Sequence, residues 1–115
     1  MAEIKKLTNI ILAFRNKRNW KQFNNPKDLA LSLVLEAAEV LEHFQWKSKE
    51  EVEVYAKTNK QDIGEELADT LYFVLLLAHD LRIDIAKAFK GKMNKNAKKY
   101  PIKKAKGSHA KYNQL

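Results

Sequence analysis

The chain has 115 residues, enough for one domain, and its lack of cysteine excludes disulfides, thiolate metal sites and a cysteine nucleophile. Its net charge of +8 arises in residues 85–115, which hold 10 Lys and no acidic residue, whereas residues 1–84 hold 12 Lys and Arg against 14 Asp and Glu. Such a basic block favours contact with the phosphates of a nucleotide or a nucleic acid.

The sequence predicts neither a membrane span nor a secretion signal. The first residues form no apolar signal core. The longest apolar run, residues 71–78, is far shorter than the ~20 residues that a transmembrane helix needs. We therefore expect a cytoplasmic protein with no membrane partner.

Helix-forming residues dominate the chain, which contains three Gly and two Pro, and no stretch alternates apolar and polar residues as a strand would. We therefore predict an all-α fold, a helical bundle of four to five helices that oligomerisation completes. Apolar periodicity and capping signals place the helices, in chain order, at about residues 2–18, 26–46, 49–57, 60–81 and 85–100.

Start and stop signals fix several of these ends. Asn25-Pro26 is a cap followed by a proline at the first helical position. Ser48 and Glu51 have the spacing of a capping box, and Asp84 can cap the fifth helix. Pro101 cannot continue that helix. The organisation that follows is a domain of residues 1–101 and a basic, flexible tail of residues 102–115.

The second and fourth predicted helices share a design. Both are apolar nearly all round, so we expect each to be buried on most sides. Glu36 and Glu39 interrupt the apolar run of the second helix, and Glu66 and Asp69 interrupt that of the fourth. Residues three apart lie on one face of a helix, so both carboxylates of each pair point the same way.

Four carboxylates in apolar surroundings need positive charge nearby. Each costs several kcal/mol when it is unpaired, and neighbouring carboxylates repel each other. The chain has no basic residue between Lys27 and Lys47, and one, Arg82, between Lys60 and Lys87. A bound cation would supply the missing charge. Ligands that are all oxygen suit Mg²⁺, with Mn²⁺ as an alternative.

The competing interpretation is that these acids form ordinary solvated helix faces. Glu residues three or four apart are common on such faces, and Glu65 is ambiguous because it points about 100° away from Glu66. We expect solvated faces for the acids without apolar flanks, which are Glu42, Glu50, Glu51 and Glu53.

The spacing Glu-x-x-Glu, 26 intervening residues, then Glu-x-x-Asp resembles the signature of the all-α nucleotide pyrophosphohydrolases. More segments resemble the compact MazG-like branch of that family, which includes the dCTP pyrophosphatases, and together the similarity covers about residues 4–101. The matching segments are residues 14–23, 26–30, 35–42, 44–46, 65–69, 92–96 and 99–101.

The resemblance implies hydrolysis of a nucleoside triphosphate, a deoxy one, to the monophosphate and pyrophosphate, with housecleaning of non-standard nucleotides as a candidate purpose. It implies Mg²⁺ as the cofactor. It also implies assembly into a homodimer or homotetramer with active sites at the subunit interfaces. The metal-binding and catalytic residues that it assigns are Glu36, Glu39, Glu66 and Asp69.

The resemblance also implies substrate contacts. Stacking of a base on an aromatic ring is worth ~1–3 kcal/mol. The open alternatives are core packing for the two Trp and a solvated basic face for the lysines. The implied base contacts are Trp20, Lys21, Gln22, Phe23, Asn24 and Trp46; the implied contacts at the phosphate end are Lys92, Asn96 and Tyr100.

Three positions depart from the dCTP-preferring relatives. Ile11 and Asn24 stand where those relatives have His, and Phe73, which we include among the substrate contacts, stands where they have Tyr. These departures leave the metal chemistry in place and leave the preferred base and sugar open. The proton of the attacking water would pass to Glu36 or Glu39, between which the sequence does not choose.

A different class of function is a basic helical nucleic-acid-binding module. The C-terminal basic block and the aromatic residues Tyr100 and Tyr112 favour it. It would leave the acid pairs unexplained, so we do not expect a nucleic-acid partner. The acid pairs also argue against a third interpretation, a helical scaffold without activity.

Overall fold

The computed structural model of the protein describes residues 2–115, and within that range it contains helices and no strand. The prediction of an all-α fold is confirmed. Six α-helices and two short 3₁₀ turns follow one another. They are α1 (Ala2–Lys17), a 3₁₀ turn (Lys21–Phe23), α2 (Pro26–Glu42), α3 (Lys49–Thr58), α4 (Lys60–Asp80), α5 (Ile85–Lys99), α6 (Ile102–Ala105) and a 3₁₀ turn (Tyr112–Gln114).

The chain divides into two compact units, Met1–Arg82 and Ile83–Leu115. In the first unit α4 is the central helix, because α2 packs along it most extensively and α1 and α3 pack on it as well. In the second unit α5 is followed by α6 and the last 3₁₀ turn. Among residues 2–115, the buried apolar residues all lie in the first unit and are Ile11, Leu29, Leu75, Leu76 and Ala78.

The predicted start signals are made as hydrogen bonds. The side chain of Asn25 accepts from the backbone N–H of Asp28 at 2.9 Å, with Pro26 as the first helical residue of α2. Ser48 and Glu51 form the reciprocal capping box at the start of α3, with distances of 3.2 and 3.1 Å. These bonds satisfy backbone donors that have no partner within the helix, which is why the local sequence predicts them.

Helix α2 ends at Glu42, four residues before the end that we predicted at Trp46. Residues 43–46 form a turn, in which Trp46 takes a φ of 66°, a left-handed conformation that no α-helix continues through. The turn places His43 against α3, where its Nδ1 lies 2.6 Å from the hydroxyl of Tyr55. This tertiary contact competes with the helical periodicity of the sequence.

The prediction that α2 is buried on most sides is wrong for the single chain. Leu29 is its one buried residue, because one face of α2 packs on α4 and the remaining faces are open. A stripe of large apolar side chains at helical spacing is 56–63% exposed; we call it the α2 stripe, and it consists of Leu31, Val34, Leu35 and Leu41.

Residues 102–115, which we predicted as a flexible tail, contain α6 and the last 3₁₀ turn, so they have local helical structure. Their flexibility stays a prediction. Among residues 2–115, no helix is both long enough and apolar enough to cross a membrane.

Candidate active site

The packing of α2 along α4 brings acidic side chains of the two helices together. One carboxylate oxygen each of Glu36, Glu39 and Glu66 lie within 4.8 Å of one another, and we call this group the acid cluster. Asp69 is outside that trio, but its charge contributes to the raised pKa of both Glu36 and Glu66, and it lines the same cavity as Glu36. All four predicted carboxylates therefore interact.

Two members of the acid cluster, Glu36 and Glu66, have a pKa raised above the ordinary value of a glutamic acid. A hydrogen bond with Glu39 is the largest of the causes that raise the pKa of Glu66 to about 7, followed by burial and by repulsion from the neighbouring carboxylates. Burial is the main cause that raises the pKa of Glu36, and a hydrogen bond with Glu39 adds to it. The folded protein thus disfavours negative charge at this place.

Two oxygens of the acid cluster lack a partner. Glu36 Oε2 and Glu66 Oε2 are buried, and residues 2–115 provide neither with a hydrogen bond. A buried acceptor without a donor is costly and rare in folded proteins. Oxygen ligands without His or Cys, arranged in this way, fit a hard divalent cation.

A cavity of about 420 Å³ adjoins the acid cluster. Glu36 and Asp69 make part of its wall acidic, and most of the remaining wall is apolar or aromatic. A site of this kind has room for a flat ring beside a charged group. The lining residues are Ile10, Ile11, Phe14, Trp20, Asn24, Glu36, Asp69, Tyr72, Phe73 and Leu76.

Helix α1 and the loop after it form the aromatic side of the cavity. Phe14 is the centre of this side, because its ring meets Trp20 edge-on at 5.7 Å and Tyr72 at 6.1 Å between centroids. The guanidinium of Arg18 lies 3.8 Å from the Phe14 ring centroid on the same side. A cation over an aromatic face is attracted to it, which helps to fix the ring.

The cavity includes some of the predicted substrate contacts and not others. Trp20, Asn24 and Phe73 line it. Trp46 does not, and its side chain is 92% exposed. Three more predicted contacts, Lys21, Gln22 and Phe23, form the exposed 3₁₀ turn beside Trp20; the remaining three, Lys92, Asn96 and Tyr100, lie in the second unit, on α5 and at its C-cap.

The sequence interpretation missed several lining residues. Ile10, Phe14, Tyr72 and Leu76 belong to apolar runs that predict core packing equally well. The available signal was the place of Phe14 in the segment that resembles the family, six residues before Trp20. Helical periodicity identifies the apolar face of α1 but not whether that face meets another helix or a cavity.

A largely buried ion pair contacts the cavity wall through Asn24. Arg15 is 2% exposed and binds Asp80 with both ends of its guanidinium, Nη1 to Oδ2 at 2.7 Å and Nη2 to Oδ1 at 3.0 Å. The same Nη1 donates to Asn24 Oδ1 at 3.2 Å. The backbone carbonyl of Arg15 accepts from the N–H of Trp20 at 3.2 Å, so Arg15 holds two residues of the cavity wall.

Comparison with known proteins agrees with the resemblance seen in the sequence. The model of the MazG-like family matches residues 31–115. The dCTP pyrophosphatase 1 of Bos taurus is 38% identical over 104 residues, and that of Homo sapiens is 36% identical, each match covering 89% of this chain. The chain spans 62% and 61% of the length of these two relatives.

A solved structure is similar as well. A pyrophosphatase from Archaeoglobus fulgidus superposes with a TM-score of 0.82 and is 39% identical, over 86% of this chain and 93% of that one. The likeness therefore extends to nearly the whole of that protein. With the family model matching most of the chain, these findings identify the chain as a member of the MazG-like family.

Proposed function

We propose that the protein hydrolyses a deoxynucleoside triphosphate to the monophosphate and pyrophosphate with the help of a divalent cation. The observation that carries this proposal is the acid cluster, with its two unpartnered buried oxygens, beside a cavity of aromatic and apolar residues. The names of the relatives, dCTP pyrophosphatase and pyrophosphatase, support the same reaction class.

Mg²⁺, with Mn²⁺ as an alternative, fits the ligands that the chain offers. Glu36, Glu39, Glu66 and Asp69 would hold it, and the two unpartnered oxygens and the raised pKa of Glu66 support this assignment. When bound, the cation would neutralise charge on the triphosphate and on the carboxylates and would make a coordinated water more acidic.

The reaction that we propose is a displacement at the α-phosphorus. The oxygen of a water molecule bonds to this phosphorus, the bond from phosphorus to the α–β bridging oxygen breaks, and pyrophosphate leaves with that oxygen. Glu36 or Glu39 takes the proton of the water. No protein nucleophile takes part.

The cavity would take the base of the nucleotide. Trp20 and Phe14 offer aromatic faces and edges at one side of the cavity, and the acidic residues lie at another. We keep residues 21–23 and Trp46 as further candidates for contact with the nucleoside. Lys92, Asn96 and Tyr100 are our candidates for contact with the phosphates, on the resemblance of their segment alone.

We also propose that the protein is a homodimer or a homotetramer, in the cytoplasm. The α2 stripe supports the assembly, because four large apolar side chains in a row on one helix are costly to leave in water. A second copy packed on the stripe would remove this surface from solvent.

The test is a panel of the four common deoxynucleoside triphosphates and their ribose counterparts, with Mg²⁺, in which pyrophosphate and orthophosphate are measured separately. We expect one-step release of pyrophosphate, dependent on Mg²⁺ or Mn²⁺. Release of orthophosphate through a diphosphate would contradict the proposed reaction. A Glu53→Gln variant, changed at an exposed acid of α3, should match the wild type.

A further inference from the structure

Asn24 carries the only carboxamide among the side chains that line the cavity in residues 2–115. The rest of the wall consists of apolar and aromatic side chains and of two acidic residues, Glu36 of the acid cluster and Asp69. If the cavity takes the base, Asn24 can distinguish one base from another by hydrogen bonding, beside the indole N–H of Trp20 and the hydroxyl of Tyr72. The direction in which its amide faces then decides which bases fit.

The surroundings of Asn24 fix that direction. An arginine guanidinium can only donate hydrogen bonds, so the atom of Asn24 that faces Arg15 Nη1 must be the oxygen, Oδ1, at 3.2 Å. Arg15 is itself held on both nitrogens by Asp80 and is 2% exposed, so it cannot swing away. Turning the amide over would set two donors against each other.

The Nδ2 group of Asn24 is consequently the end that is available. It makes no hydrogen bond within residues 2–115, whereas Oδ1 is already engaged. The side chain is partly buried in the cavity wall. It therefore offers two N–H groups, while its oxygen is turned toward Arg15.

We propose that Arg15 and Asp80 are positioning residues that orient the amide of Asn24, so that Nδ2 donates a hydrogen bond to an acceptor atom, a carbonyl oxygen or a ring nitrogen, on the base of the substrate. This inference rests on the proposed function, because it takes the cavity to be the base site. A base that places an amino group at that point would meet donor with donor, and binding would be weaker.

The experiment compares kcat and KM for dCTP, dUTP, dATP and dGTP in the wild type, Asn24→Ala and Asn24→Asp. The alanine removes the donor, so KM for the preferred base should rise at least ~10-fold while kcat stays within ~3-fold, and the spread among the four bases should narrow. The aspartate accepts a hydrogen bond where the asparagine donates one. The preference within the pair that differs by an amino or an oxo group, dCTP with dUTP or dATP with dGTP, should therefore reverse. Asn16→Asp, an exposed Asn-to-Asp change on α1 outside the cavity lining, is the matched control.

The positioning role is tested with Arg15→Lys and Asp80→Asn. Lysine keeps the charge but not the planar fork, and the asparagine keeps the shape of Asp80 but not its charge. Both variants should reduce the differences in kcat/KM among the four nucleotides, while kcat for the poorer substrates is retained. A merely structural role would lower kcat/KM for all four nucleotides together. If Arg15→Lys fails to fold, Asp80→Asn decides the matter, because its side chain is 18% exposed and its replacement is nearly isosteric.

The outcomes separate this inference from the proposed function. Unchanged base ratios in both Asn24 variants, in an active protein, would overturn the role of Asn24 alone. If the ratios of kcat/KM between nucleotides change in the Asn24 variants but not in Arg15→Lys or Asp80→Asn, the positioning role is overturned. A wild type that releases pyrophosphate from none of these four nucleotides, nor from any in the wider panel, would remove the proposed function, and this inference with it.

Discussion

Glu66 on α4 and Glu39 on α2 have carboxylate oxygens within 4.8 Å of each other, and hydrogen bonding between the two carboxyl groups is the first cause that raises the pKa of Glu66 to about 7. The folded state therefore holds a proton that the unfolded chain, with a pKa near 4.5, releases between the two values. This pair makes the stability of the protein dependent on pH in the direction opposite to that of an ordinary salt-bridged acid.

The first prediction follows from that proton. Without divalent metal, the contribution of Glu66 to stability is fully present below about pH 4.5 and is lost as the pH rises through about 7. The melting temperature of the metal-free protein should therefore fall between pH 5 and pH 8. Thermal melts in EDTA across this range measure it, and Glu39→Gln should show a shallower fall. A melting temperature that climbs over the range, equally in both proteins, would contradict the prediction.

The second prediction concerns the charges themselves. Glu39→Gln or Asp69→Asn removes one of the mutually repelling charges with little change of shape, so the metal-free variant should be at least as heat-stable as the wild type while losing at least ~10-fold in turnover. Mg²⁺ at about 100 times its Kd would stabilise the wild type by ~2.7 kcal/mol and the variants by less.

The measurement is thermal melting with and without Mg²⁺, beside turnover, and Glu53→Gln is the control. If Glu39→Gln and Asp69→Asn kept full turnover and the full stabilisation by Mg²⁺, the carboxylates would be ordinary helix charges.

The third prediction tests the aromatic wall. Trp20 lines the cavity and meets Phe14 edge-on. Loss of ~1–3 kcal/mol of stacking in Trp20→Ala should raise KM ~5–150-fold with a smaller effect on kcat. Trp20→Phe keeps an aromatic face and should recover most of the loss. Unchanged kinetics in a folded Trp20→Ala protein would remove Trp20 from the site.

The fourth prediction separates the role of the Trp46 ring in binding from the role of its backbone in the turn. The ring is exposed and φ is 66°. Trp46→Ala and Trp46→Gly both delete the ring, so both should raise KM if the ring contacts the nucleoside. Glycine adopts this backbone conformation freely, so Trp46→Gly should be ~1 kcal/mol more stable than Trp46→Ala. Identical melting temperatures of the two variants would show that the turn changes conformation when the ring is absent.

The fifth prediction addresses assembly. A charge in the middle of the α2 stripe, Leu35→Arg, should convert a wild-type dimer or tetramer into a smaller species in analytical ultracentrifugation, because burying an unpaired charge costs several kcal/mol. Ile102→Arg, at an exposed apolar residue of α6, should leave the assembly unchanged. A monomeric wild type would contradict the prediction directly.

Local signals explain which parts of the fold could be predicted. The caps at Asn25, Ser48 and Asp84 depend on residues three apart in sequence. Each acid pair has the same spacing, so the caps and the acid pairs can be predicted from the sequence. The contact between Arg15 and Asp80 joins residues 65 positions apart and carries no local pattern. The same holds for the partly aromatic cavity wall, which brings Phe14 of α1 to Tyr72 of α4.

The early end of α2 has a further electrostatic effect. Because the helix stops at Glu42, Glu39 lies in its last turn, where carbonyl groups without an intrahelical partner give the helix terminus a partial negative charge. Proteins ordinarily place Lys, Arg or His there, and the last turn of α2 contains none. The macrodipole of α2 would therefore add ~0.3–1 kcal/mol to the attraction between Glu39 and the cation that we propose. If α2 extended to Trp46, its negative terminus would lie one turn farther from the acid cluster.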